Sequence, residues 1–200
     1  MDLTSLVHMC TDYEQQMLPL YAAASWFQPE SEQAILCRFA AFLTTQSEAL
    51  ARTAWAGHIT ASALLVDTAQ ERVALTHHGK LGMWLQFGGH VEAEDASLLE
   101  AAKRETREES GCSDCDILSA PYGHLPLDLD IHALPPLGKE PAHFHFDVRF
   151  LLYTSQSDLM VSPESNEVRW FSFSEAFELV QEPSLRRLLQ KTLWLKGRVV

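Results

Sequence analysis

"GGHVEAEDASLLEAAKRETREESGC", residues 88–112, decides how the chain is read. A glycine pair opens it and a polar loop follows. The alanines, leucines and long straight-chain residues after Asp95 are helix formers, and Gly111 stands where a glycine ends a helix. Within that helix Glu105, Glu108 and Glu109 are three and four residues apart. They therefore share one face, where like charges repel by a few tenths of a kcal/mol per pair, roughly 0.2–0.5. Two readings fit "RETREESG" (104–111) alone: an ordinary charged helix with an Arg104–Glu108 pair, or a face that receives a cation.

Outward from this stretch the texture is mixed. "HITASALLV" (58–66) and "RVALTHH" (72–78) read as two strands of a hairpin joined by "DTAQE". "AHFHFDVRFLLY" (142–153) alternates, with Phe144, Phe146, Val148 and Phe150 on one face and His143, His145, Asp147 and Arg149 on the other, which predicts a half-buried strand. "EVRWFSFSEAFELV" (167–180) adds a short strand and a helix with Ser174 as its expected N-cap, and "PSLRRLLQKTLWL" (183–195) a last amphipathic helix. Upstream, apolar residues from Leu3 to Leu20 recur at helical spacing and predict a helix ending near Pro19. A second helix follows "PESEQ", with Ile35, Leu36, Phe39, Phe42 and Leu43 on one side. Residues 121–141 are too long for a tight turn and are expected to form a functional loop.

The 200 residues suit one domain, or one with an appendage, and 46% hydrophobic with 21% charged residues reads as globular. No apolar run approaches the ~18 residues that span a bilayer. The first residues show no basic leader, so a cytoplasmic location is expected. Four scattered cysteines suit a reducing compartment. A formal charge of -12 argues against a nucleic-acid polymer as partner, and means that an anionic substrate must arrive with cations.

Taken together, residues 89–112 resemble the Nudix box, the motif of hydrolases that cleave a diphosphate linked to another moiety. In that family a glycine is followed after five residues by a glutamate and after seven more by Arg-Glu. An apolar residue, any residue, two glutamates, any residue, glycine and an apolar residue complete it. The match starts at Gly89 and closes through Arg104, Glu105, Glu108, Glu109, Gly111 and Cys112, and the flanking strands with "EVRWFSFSEA" extend the resemblance over residues 56–180. The chain departs from the pattern at four places. Asp95 replaces the glutamate, eight residues rather than seven separate it from Arg104, Phe87 replaces a frequent proline, and Thr106 holds an apolar position.

The resemblance implies an α/β fold, an α/β/α sandwich around a mixed β-sheet, with residues 1–52 as a helical extension and 53–200 as the hydrolase domain. It implies a metal-dependent pyrophosphohydrolase in which Glu105 and Glu109 are principal ligands. Glu108 would help directly or through water, the Gly88 carbonyl would complete the set, and Arg104 would orient Glu105 or Glu108. Oxygen ligands favour Mg²⁺, with Mn²⁺ as substitute, and such hard cations cancel diphosphate charge while water attacks. For the general base the family points to a loop glutamate before the last-strand tryptophan. Glu164 stands six residues before Trp170, Glu167 competes, and Glu105 is a third candidate. The implied partner is a small, nucleotide-derived diphosphate, with no membrane and with a homodimer left open. An isopentenyl diphosphate isomerase-like enzyme, with a catalytic cysteine and histidine ligands, is one alternative. A non-catalytic nucleotide-binding regulatory module is another, and the retained glutamates oppose it.

Seven of the nine histidines lie between residues 77 and 145. For His143 and His145, with Asp128, Asp130 and His132 in the preceding loop, three readings stand: a transition-metal site, a phosphate-recognition wall, or a solvated strand face. His90, His143, His145 and Arg149 are the substrate-binding candidates. Cys112 and Cys115 have CxxC spacing without a second half, and Cys112 is expected to pack in the core. Trp84, Phe144, Phe146 and Phe150 are expected in the core too.

Overall fold

The computed structural model describes residues 2–69, 71–113, 124–136 and 138–197. The hairpin forms as read: β1 (His58–Asp67) is antiparallel to β2 (Arg72–His78), and the Asp67 carboxylate accepts the Glu71 and Arg72 amides to close the turn. β3 (Trp84–Leu85) turns back antiparallel to β2, and β4 (Phe87–His90) carries the glycine pair.

β1 is the axis of the sheet. Along one edge it runs parallel to β6 (His143–Thr154) from His58 to Asp67. Along the other edge it pairs with β4 over Thr60–Ala63 and with β2 over Leu65–Val66, so the sheet forks near Leu64. β7 (Ser165–Ser172) pairs with β2, and β5 (Asp128–Leu134) forms the edge beyond β6. The sheet is mixed, as expected.

β5 corrects the reading of 121–141 as a loop. "DLDIHAL" alternates with period two, but its polar positions are aspartates, which are depleted in strands, and this masks the pattern. β6 is also not half-buried: Asp147 and Arg149 are as buried as Val148 and Phe150 on the opposite face. The reading of its polar side as solvated therefore fails.

The N-terminal helix does not end near Pro19. α1 (Leu3–Asp12) widens into a π-helical turn at Tyr13–Met17 and resumes as α2 (Leu18–Tyr21). Pro19 has no amide to give, and the π-helical turn that directly precedes it is where the continuous helix accommodates the missing hydrogen bond. α3 (Pro29–Thr45) starts on its proline in the same way. α4 (Leu98–Ser110) is capped by Ser97 and ended by Gly111 at φ 67°. The N-cap of α5 (Phe173–Leu179) is Ser172 rather than Ser174. Ser172 and Glu175 form a reciprocal capping box, three residues apart as that motif demands. α6 (Pro183–Lys196) closes the described chain.

Helices cover both faces of the sheet. On one, α4 packs on β1 and β4, while Phe39 and Phe42 of α3 meet Phe146, the latter ring stacked at 3.9 Å. On the other, Arg187 and Lys191 of α6 reach Asp128 and Asp130. The N-terminal helices share this core, since the Tyr21 hydroxyl donates to the Leu127 carbonyl and the Trp194 indole donates to that of Leu20. Phe146 and Phe150 are buried as expected, whereas Phe144 is 40% exposed under Arg38. Among the described residues no helix is long and apolar enough to cross a membrane.

Candidate active site

The site is built from β4 and α4. Leu98, Ala101, Ala102 and Thr106 bury one side of α4 and turn Glu105, Glu108 and Glu109 away from the core. Thr106 is tolerated at its apolar position because its hydroxyl donates to the Ala102 carbonyl at 2.7 Å. The glycine pair lets α4 approach. A Cβ on Gly89 would stand 2.7 Å from the Glu105 carboxylate, and one on Gly88 would stand 2.3 Å from the Ser62 Cβ.

Arg104 is the hub of the loop. Its guanidinium donates to Asp95 (Nε at 3.1 Å, Nη2 at 2.9 Å), to the His90 carbonyl at 2.9 Å, to Glu105 at 2.9 Å and to Glu108 at 3.3 Å. It is thus hydrogen-bonded to Glu105, Glu108 and Asp95 at once. The shorter acid at 95 and the extra residue before Arg104 offset each other: Asp95 also accepts the Glu92 amide at 2.8 Å, which folds the loop back to the helix. The Arg104 hydrogen bonds hold Asp95 below the usual carboxylate range.

The glutamates differ in environment. Glu108 is exposed, while Glu105 is only 16% exposed. Glu109 accepts the Gly88 amide at 3.0 Å. Burial raises the pKa of Glu105, against the pull of Arg104. Burial also pushes Glu109 up to about 8; the Gly88 amide opposes this, and the charges of Glu105, Glu164 and Glu108 add to it. Crowded, partly desolvated carboxylates of this kind fit a hard divalent cation, which supplies the charge they lack.

Glu164 lies in the turn before β7, where its main-chain carbonyl accepts the Gly79 amide, and its charge acts on Glu109. Glu167 points elsewhere, into an exposed pair with Arg169 at 3.4 Å. A cavity of about 500 Å³ beside the loop is lined by Leu50, Ala51, Arg52, Val91, Glu92, Ala93 and Asp95.

The substrate-wall candidates sit differently. Arg149 is a correction: its side chain is 3% exposed and its guanidinium is committed to Asp128, Asp130 and Asp147 at 3.0–3.4 Å and to Ser184 at 2.9 Å, so it is a buried structural cation rather than part of a substrate wall. His143 and His145 are brought together with His90 and with a residue the sequence reading passed over, His58. Burial lowers the pKa of His58, His90 (to about 4) and His145 (to about 2). The sign that marks His58 is the alternation His58, Thr60, Ser62 in "HITAS", which matches His145, Asp147, Arg149 across the parallel β1–β6 register. Cys112 is fully buried, its thiol against the Thr154 hydroxyl at 3.1 Å, and Cys115 lies outside the described residues. Trp84 is half-buried against His77 and Phe171.

A forked mixed sheet with a glutamate-rich helix under a glycine ribbon defines a class, and comparison agrees. A family model described as the NUDIX domain matches residues 57–192. The chain belongs to the Nudix family and is an enzyme of the pyrophosphohydrolase type. Among solved structures it is similar to a Nudix hydrolase from M. smegmatis (17% identity, 72% of this chain and 89% of that one, TM-score 0.50). It is also similar to the E. coli dihydroneopterin triphosphate pyrophosphohydrolase (15%, 66% and 92%, TM-score 0.50) and to a C. elegans Ap4A hydrolase (19%, 70% and 98%, TM-score 0.48). At these identities the likeness is one of fold. No curated protein matches the sequence.

Proposed function

We propose that the chain hydrolyses a nucleoside diphosphate linked to another moiety, in a reaction that requires Mg²⁺, with Mn²⁺ as substitute. The observation that carries this reading is the gathering of Glu105, Glu108 and Glu109 beneath Gly88 and Gly89, with Arg104 tying two of them to the loop. Glu105 and Glu109 would be the principal metal ligands, Glu108 an auxiliary one, and the Gly88 carbonyl would complete the set. Bound there, the cation would neutralise diphosphate charge and lower the pKa of water.

The chain's own residues do the rest. Arg104 fixes the Glu105 rotamer so that no reorganisation is needed when charge develops. Glu164, whose charge is felt at Glu109, takes the proton of the attacking water as general base. The cavity beside Arg52 and Val91 holds the nucleoside-bearing part of the substrate.

The test is a panel of nucleotide sugars, modified nucleoside triphosphates, ADP-ribose and dinucleoside polyphosphates, each with Mg²⁺ and with Mn²⁺. Products are analysed to locate the broken bond. Cation-dependent cleavage within a diphosphate is expected. Cleavage unaffected by chelation, or none across the panel, overturns the reading.

A further inference from the structure

We propose that His58, His143 and His145 form a zinc site, distinct from the carboxylate site. One ring nitrogen from each lies within 4.8 Å of the other two. The Nε2 atoms of His143 and His145 are 3.3 Å apart. Two imidazole nitrogens each about 2.0–2.1 Å from one tetrahedral zinc stand ~3.3 Å apart as well.

Two further observations point to a ligand. His58 is fully buried, yet neither of its ring nitrogens has a hydrogen-bond partner. The Ala54 carbonyl lies close enough to oppose the lowering of the ring's pKa as a weak hydrogen-bond acceptor, but it falls outside strict hydrogen-bond geometry. A buried polar atom left unpaired costs about 1–3 kcal/mol, so such a ring marks the place of something that binds it. Meanwhile the Nδ1 of His143 is 2.8 Å from the Pro141 carbonyl. That contact requires the proton on Nδ1 and leaves the Nε2 lone pair facing His145, which is how a metal-bound imidazole is held by its outer partner.

The ligand set follows from the strand order. His58 on β1 and His145 on β6 are register partners, and His143 stands two residues before His145 on the same face. The ring of His90, 5.0 Å from that of His58 and 5.4 Å from that of His145, borders the fourth side. Three neutral nitrogens without a carboxylate or thiolate suit zinc far better than the hard cations of the glutamate site. The two sites are separate by alternation: Glu105 lies on the side to which Gly89 would point a side chain, and the next residue, His90, points to the other. The zinc would staple β1 to β6 beside the ribbon that carries the glycine pair.

The full chain, stripped with a chelator and dialysed, is titrated with Zn²⁺. One equivalent should bind, and the thermal midpoint should rise. X-ray absorption at the zinc edge should show three imidazole nitrogens at about 2.0–2.1 Å. His145→Gln should weaken binding by more than the ~10–100-fold that follows loss of an outer-sphere partner, while Glu109→Gln should leave binding unchanged. The proposal is overturned by oxygen-only coordination in the wild-type protein, by no stoichiometric binding, by unweakened binding in folded His145→Gln, or by loss of binding in Glu109→Gln. None of these readouts uses turnover, so failure here leaves the hydrolase reading intact.

Discussion

The carboxylate of Glu105 occupies the space a side chain on Gly89 would need, 2.7 Å from the point at which its Cβ would be built. Gly89 has no positive φ, so alanine fits its backbone, and the nearest atoms its methyl would meet are those of the Glu105 carboxylate. Gly89→Ala should leave the fold intact, as read by circular dichroism, and lower kcat by about 10²-fold, the effect of a displacement near 1 Å in a catalytic group. Turnover at the wild-type level would mean that the position of Glu105 is not critical.

Glu164 and Glu167 are separated by the same measurement. Glu164→Gln should lower kcat by roughly 10²- to 10⁴-fold with little change in the Mg²⁺ concentration needed for half-maximal rate. Glu167, paired with Arg169 at the surface, should tolerate the same change. The reverse pattern would move the general base to Glu167.

Away from the site, Lys191 is fully buried between Asp128 at 2.5 Å and Glu32 at 2.7 Å, with the Tyr13 hydroxyl at 2.7 Å. Lys191→Met leaves two buried carboxylates short of a cation and should cost about 3–5 kcal/mol in urea unfolding, the usual effect of breaking a buried pair from one side. A loss below about 1 kcal/mol would show that water replaces the ammonium.

The same network sets an acid limit. Burial alone would raise the pKa values of Asp128 and Asp130. Lys191, Arg187 and Arg149 around Asp128, and Arg149, His132 and Arg187 around Asp130, more than offset it and hold both low. Their folded values lie below the unfolded ~3.9. The stability they contribute is therefore complete above about pH 4 and lost as pH falls through the folded values. Thermal midpoints at constant ionic strength should drop below pH 4 in the wild type, and less steeply in Lys191→Met. Equal slopes would place the acid sensitivity elsewhere.

Much of this was legible in the residues because it is local. The box sets its own helix through Ser97, Gly111 and the burial stripe of α4, and the β1–β2 hairpin needs only neighbouring strands. What stayed hidden depends on distant partners. Asp128 and Asp130 read as loop residues because the cations that let aspartates sit inside a strand come from β6 and α6. Arg149 read as a substrate contact for the same reason. His58 passed unnoticed because a single histidine at the start of a strand acquires meaning only when the parallel register sets it beside His145. The role of Asp95 depended on where one extra loop residue would place it, and the Arg104 hydrogen bonds answer that.

Steady-state hydrolysis of the best substrate of the panel, with saturating Mg²⁺, by wild type and by Glu109→Gln is the most direct measurement. The amide keeps the side chain's shape and removes the charge that a cation needs. Turnover should fall by about 10³-fold or more, roughly 4 kcal/mol of transition-state stabilisation, with the fold unchanged. A folded Glu109→Gln protein that turns over at close to the wild-type rate would contradict the assignment of the glutamate helix as the hydrolytic site.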